Sequence, residues 1–283
     1  MKLIARHSDN KAAFTIIELL TVMSVIIILI GLLVPGLNML KRYARNVAQR
    51  NQFHAIGVAL EAFNAEQGAY PQSDPGSAGL PCGAAALAMA MVGIDLLGYD
   101  VHGDYTQTDL SDRILYMSVG DARANRVGDL YASLSPAFAG AEYVLCDIYQ
   151  RVEHRYTGNL VGMPVLYYRA NTSRQLHNWT TPSESIYNYL HNDDLVLLGI
   201  PWANTTAAHP MASAGVTWHA DNAGNPIPAD PNIFYDNARN WDIPIRWPQR
   251  PDSYILLSAG YDGEYGTRDD ILNFSQPLMR GPE

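Results

Sequence analysis

AAFTIIELLTVMSVIIILIGLLVP, residues 12–35, carries a single carboxylate, Glu18, at the front of a long apolar run. Between Glu18 and Lys41 lie 22 residues without a charge. As a helix rising roughly 1.5 Å per residue they would reach about 33 Å, close to the hydrocarbon thickness of a bilayer. A helix buried in a protein core is seldom this long and this rich in isoleucine. A cleaved secretory signal has a shorter apolar region that ends at a small-x-small site. Here the run passes into GLNMLKRYARN, which continues as helix. The segment reads as a membrane span that stays with the protein. Three basic residues precede it and four follow, so charge alone does not orient it.

The continuation, NMLKRYARNVAQRNQFHAIGVALEAFNAEQGAYP (38–71), is amphipathic. Leu40, Tyr43, Val47, Phe53, Ile56, Leu60 and Phe63 follow helical spacing, while Lys41, Arg42, Arg45, Arg50 and Glu61 fall elsewhere. Gly68 and Pro71 mark the end. One helix over 14–66, roughly 80 Å long, is expected, apolar all round over 14–40 and one-sided over 41–66. Pro35 lacks an N–H and predicts a kink or local melting.

The whole chain has 283 residues, 48% of them hydrophobic and 17% charged, enough to bury a sizeable core. Its net charge of -9 is uneven. Residues 1–50 hold seven Lys/Arg against Asp9 and Glu18, a balance of +5, which leaves -14 for the rest. A basic stem on an acidic body suits a stem near anionic lipid, and it excludes nucleic acid as the body's partner, since phosphate needs clustered cations. Cys82 and Cys146, the only cysteines, form no zinc-type pattern; they are either two buried small apolar residues or one disulfide.

After the turn-rich QSDPGSAGLPCG, the stretch AAALAMAMVGIDLLGYD reads as a helix ended by glycine, with Met89 and Met91 facing a core. YVLCDIYQ (143–150) and PVLYYRAN (164–171) have the composition of strands, and LVLLGI (195–200) suits strand or helix. Residues 201–250 read as long ordered loops. In PDSYILLSAGYDGEYGTRDDILNF (251–274), YILLS is a strand, followed by Asp262, Glu264, Asp269 and Asp270 among Gly260, Gly263 and Gly266. Two readings fit. One is oxygen ligands for Ca²⁺ on a glycine-permissive loop, although the spacing is not that of an EF-hand. The other is a hairpin turning at Asp262-Gly263 with a solvated acidic tip.

The N-terminal residues carry a resemblance. A basic leader ending in a small residue, then Phe14-Thr15-Ile16-Ile17-Glu18-Leu19-Leu20 and a long apolar helix, resembles the prepilin signal of type IV pilins, and most of all the major pseudopilin of type II secretion systems. That resemblance implies cleavage between Ala13 and Phe14 by a prepilin peptidase, and methylation of the new Phe14 amine. The family usually has Gly where Ala13 stands. Glu18 and Pro35 fall on the family's fifth-place glutamate and twenty-second-place proline. The resemblance assigns Glu18 to pairing with the Phe14 amino group of the same or a neighbouring subunit, which sets the axial register of a filament. The alternative for Glu18 is a carboxylate that snorkels at the interface and has no part in assembly. At the other end, SAGYDGEYGTRDDILNF is similar to the pseudopilin's C-terminal calcium loop, implying Ca²⁺ held by Asp262, Asp269, Asp270 and the carbonyl of Ala259. ALEAFNAEQGAYPQSD matches the family's helix end; the middle, about 75–250, does not match.

The expected organisation is therefore a leader (1–13), a long helix (14–66) and a periplasmic or extracellular body (67–283), with an insertion over about 75–250 and an acidic loop over 258–274. The fold class is α+β, a helix packed on an antiparallel sheet with the insertion elaborating one side. The function implied is that of a structural subunit. It is single-pass in a bacterial inner membrane, engages the lipid bilayer and an inner-membrane assembly platform, and self-associates into a pilus or pseudopilus whose surface the insertion decorates. A minor or tip subunit is the alternative, binding a secreted substrate or a surface through residues 172–250, where Trp179, Trp202, Trp218, Trp241 and Trp247 lie. An enzyme is disfavoured. HNDD (191–194) sets a histidine beside carboxylates, but no nucleophile motif, metalloprotease motif or phosphate loop accompanies it.

Overall fold

In a computed structural model of the chain, the first helix begins with a reciprocal pair of bonds. The Glu18 N–H donates to Thr15 Oγ1 at 3.3 Å, while Glu18 Oε2 accepts from the Thr15 N–H at 2.9 Å and from its hydroxyl at 2.7 Å. This is a capping box, which satisfies backbone donors that a helix start leaves open. The structure describes residues 15–75, 82–102, 111–130, 142–178, 180–196, 211, 219–220, 226–227, 232–267 and 269–274, with the side chains of Leu32, Pro35, Asn38 and Asp194 and those of residues 219–220 and 226–227 left out. Ala13 and Phe14 lie outside the described residues.

Six helices are described: α1 (Ile16–Gln67), α2 (Gly83–Val92), α3 (Val119–Ala122), α4 (Val127–Leu130), α5 (Asp193–Val196) and α6 (Asn232–Ala238). Eleven short strands accompany them: β1 (Tyr99–Asp100), β2 (Arg113–Ile114), β3 (Ala124–Arg126), β4 (Tyr143–Leu145), β5 (Val152–Glu153), β6 (Leu160–Val161), β7 (Leu166–Arg169), β8 (His219–Ala220), β9 (Pro226–Ile227), β10 (Tyr254–Ser258) and β11 (Ile271–Leu272). Every pairing between these strands is antiparallel. The architecture is α+β.

The chain divides into two units, residues 1–44 and 45–283. In the first, α1 exposes every large apolar side chain described between Ile16 and Leu40. Its backbone stays helical through position 35, so the local melting expected at Pro35 does not occur. A proline costs one bond of the ladder, and helix continues on both sides of it. The described side chains run unbroken only over 15–31, and among the described residues no helix is long and apolar enough to cross a membrane.

The second unit is organised by the sheet β11–β10–β7. In β10, all of Tyr254, Ile255, Leu256, Leu257 and Ser258 are buried, which requires cover on both faces. Side chains alternate accordingly. Tyr254 and Leu256, with Tyr167 of β7, pack with Phe53, Ile56, Leu60 and Phe63 of α1 and Leu87 and Met91 of α2. Ile255 and Leu257, with Leu166 and Tyr168, pack with Tyr187, Leu195, Phe234 and Tyr235. The whole of α2 and β7 and the residues Tyr187, Leu195, Phe234 and Tyr235 fall within the insertion, so its described residues build the core where surface decoration was expected, because a two-sided apolar strand demands a partner layer on each face.

The buried stripe of α1 also begins later than its apolar spacing implies. Leu40, Tyr43 and Val47 are exposed, and burial starts at Gln49. There the contact is polar. Gln49 Oε1 accepts the Ile148 N–H at 3.1 Å, and Gln52 Nε2 donates to the Cys146 carbonyl at 2.8 Å. Two glutamines on the core face satisfy backbone groups that β4 leaves beyond its end. In this structure Cys82 and Cys146 are buried and not bridged to each other. Cys82 caps α2, its Sγ accepting the Ala85 N–H at 3.4 Å, and Cys146 continues β4 in a bridge to Pro164. Gly93, at φ +81°, ends α2 earlier than the stretch 84–100 implied: residues 94–97 turn, and Tyr99–Asp100 form β1.

Candidate metal centre

β10 and β11 form a hairpin, but Ser258 pairs with Ile271, so the connection is the whole stretch 259–270 and no tight turn at Asp262-Gly263. The root of this loop is polar and buried. Asp147, fully buried, accepts the Ser258 hydroxyl at 2.7 Å and the backbone N–H groups of Tyr149 and Met163 at 3.1 and 3.0 Å. Burial pushes its carboxyl up to about 6 despite those donors. The Gly260 N–H donates to the same Ser258 hydroxyl at 3.3 Å, which carries the fixed geometry of β10 into the loop.

Within the loop the carboxylates fold inward. Asp269 Oδ2 accepts the Asp262 N–H at 2.9 Å and Asp269 Oδ1 the Thr267 hydroxyl at 2.7 Å. Asp262 Oδ1 accepts the Glu264 N–H at 2.9 Å, and Asp270 Oδ2 the Gly266 N–H at 2.8 Å. Burial and the neighbouring Asp269 carboxylate push Asp262 up to about 6, and Asp269 is held below the usual range by its donors despite its own burial. Asp270 is 5% exposed and its Oδ1 meets no partner, so burial pushes its carboxyl well above the usual range.

Oxygen donors alone, an orphaned buried carboxylate oxygen and a backbone bent by glycine suit a hard cation such as Ca²⁺. Among the described residues, no three His, Cys, Asp or Glu side chains already stand as a ligand set. Of the positions implied by the resemblance, Asp262, Asp269 and Asp270 are brought into one loop and Ala259 is buried at its root. Gly260 is the backbone device that permits this. At φ +67°, a Cβ there would lie 2.2 Å from the Asp269 carbonyl oxygen. Gly260→Ala should lower stability by about 1–3 kcal/mol, read from urea unfolding of the full chain in detergent. Gly120→Ala, where nothing lies within 4 Å, should stay within about 0.5 kcal/mol of the parent.

The histidine of HNDD has different partners from those its neighbours suggest. His191 Nε2 lies 2.8 Å from Asp74 Oδ1, and His191 Nδ1 lies 2.9 Å from Ser73 Oγ. Asn192 instead holds the start of α2, accepting the Ala84 N–H at 2.8 Å and donating to the Tyr167 carbonyl at 2.9 Å. The Ser73 hydroxyl is 1% exposed and accepts the Arg169 N–H at 3.0 Å. The arrangement ties residues 71–74 to β7 and presents no accessible nucleophile. Nothing in the sequence separation of 118 residues between Ser73 and His191 advertised it. Of the five tryptophans, Trp247 packs on the core, while Trp241 is half exposed under the Arg239 guanidinium at 4.3 Å; Trp179, Trp202 and Trp218 lie outside the described residues.

No protein-family model matches the chain, and no characterised protein or solved structure shows significant similarity to it.

Proposed function

We propose that this chain is a structural subunit of a pilin-like filament, closest in design to a type II secretion pseudopilin. One observation carries the reading. The first unit presents an apolar helix surface, exposed at every described large side chain from Ile16 to Leu40, with a lone carboxylate at its start. Contiguous apolar surface on this scale needs lipid or other copies of itself as cover. A precursor would place this helix in a bacterial inner membrane with its body on the far side, then pass it to an assembly platform and a helical filament core. Cleavage before Phe14 by a prepilin peptidase frees an amino group at the helix start, where Glu18 can meet it.

In the body, Asp262, Asp269 and Asp270 and the Ala259 carbonyl would hold Ca²⁺. The ion would supply a compact double charge that lets Asp270 ionise in its buried site and offsets the repulsion between Asp262 and Asp269. Its role is to lock the β10–β11 connection against the core; catalysis has no part in it.

Mass spectrometry of the mature N-terminus, after expression with a prepilin peptidase, tests the processing step. The expected species begins at N-methylated Phe14. A chain that still begins at Met1 when the peptidase processes a control substrate overturns this route.

A further inference from the structure

A polar cavity of about 440 Å³ opens between residues 72–74, the end of β7 and the segment 171–191. That volume lies in the range of small-ligand sites. Its walls carry hydrogen-bond donors, most of them on exposed residues (Asn171, Ser173, Arg174 and Ser183), that meet no partner among the described residues. Arg169 lines the cavity and its Nη1 is covered without an acceptor. Asn171 and Asn188 spend their oxygens on the backbone N–H groups of Ser173 and Leu190, which leaves their amide nitrogens unbonded. The hydroxyls of Ser173 and Ser183 and the guanidinium of Arg174 likewise meet no partner among the described residues.

The charge and shape of the cavity narrow the ligand. The lining holds two guanidinium groups, of Arg169 and Arg174, and one carboxylate, Asp74, whose Oδ1 is taken by His191. Burial lowers the proton affinity of His191 more than Asp74 raises it, so the lining favours an anion. Of the lining residues only Ala170 and Ile186 are apolar, and none is Phe, Tyr or Trp. An apolar or stacked ligand therefore finds no surface. A ligand with one carboxylate and several hydroxyls meets two guanidinium groups, neutral amides and hydroxyls that donate or accept, and one charged acceptor, Asp74, for its own O–H groups. The walls are held in advance, because Ser73, His191 and the Arg169 N–H already bond to one another.

We propose that this cavity binds a hydroxylated carboxylate of the sugar-acid class, with Arg169 and Arg174 on the carboxylate and Asn171, Ser183, Asn188 and Asp74 on the hydroxyls. The site lies on the body and does not rest on the filament reading.

Titration calorimetry on the full chain in detergent, with sodium D-galacturonate, D-galactose and sodium acetate as probes, tests it. Galacturonate should bind at least about tenfold more tightly than either galactose or acetate, the least that one lost charge-assisted hydrogen bond costs. Arg169→Leu and, separately, Arg174→Leu should each weaken galacturonate by about tenfold or more. Circular dichroism identifies a variant that fails to fold, and the other variant then decides. No galacturonate binding by the native chain, equal binding of galactose or acetate, or unchanged binding by a folded variant overturns the proposal. None of these outcomes bears on processing at Phe14.

Discussion

Glu18→Gln abolishes filament assembly while the start of α1 stays intact. Glu18 has two physical roles open to it. It closes a capping box with Thr15, a role worth about 0.5–2 kcal/mol in which glutamine serves as well as glutamate. In the proposed filament precursor it would also place a negative charge at membrane depth, which costs about 2.5–3.5 kcal/mol unless a cation meets it. Only the second role needs the charge. If the Phe14 amine of a packed subunit is the partner, Glu18→Gln and Glu18→Ala fail alike in assembly, although only alanine loses the cap. The measurement is filament yield by electron microscopy and shearing, with membrane levels of the precursor checked in each strain. Normal filaments from Glu18→Gln would reduce the residue to a helix cap and remove the charge-pairing role.

If the proposed Ca²⁺ site is filled, chelation should lower the melting temperature of the full chain in detergent by about 5–10 °C at neutral pH. A ligand present at a hundred times its dissociation constant stabilises by about 2.7 kcal/mol, and a body of this size shifts by about 2–4 °C per kcal/mol. Asp270→Asn should erase the response, since the amide fills the same space without the charge, and the chelated variant should melt above the chelated parent. The pH dependence has a definite sign. Asp262, up to about 6, and Asp270, well above its usual range, bind protons more tightly folded than unfolded. The calcium-free body therefore loses stability as pH rises from about 4 through 6, and the difference that calcium makes grows over the same interval. Asp269, shifted down, acts only below that window. A calcium effect equal at pH 5 and pH 7.5, or none at either, would sink the assignment.

The elements legible from the sequence share one property, that their signal is local. Apolar spacing and Gly68 delimit α1 at Gln67, Gly93 closes α2, and the β-branched and aromatic runs at 166–169 and 254–258 are strands. The acidic loop was legible too, because its carboxylates and glycines lie within a dozen residues. What escaped depends on partners far along the chain. Gln49 and Gln52 face the core because β4 brings unpaired backbone groups to them, so their polarity misleads a periodicity argument. His191 meets Ser73 and Asp74 in place of the aspartates beside it.

The sequence by itself determined the long helix, its uncharged first half with one carboxylate at the front, the strand that carries the sheet and the acidic loop after that strand. Each follows from steric and hydropathic preferences acting within a few residues. Only the tertiary structure decided that the insertion supplies core on both faces of β10 and that Arg169 and Arg174 come to line one polar cavity. Those outcomes turn on which layer covers β10 and where chain segments about 100 residues apart come to rest. Burial and hydrogen-bond satisfaction over the whole body select that arrangement, and no single stretch of the chain encodes it.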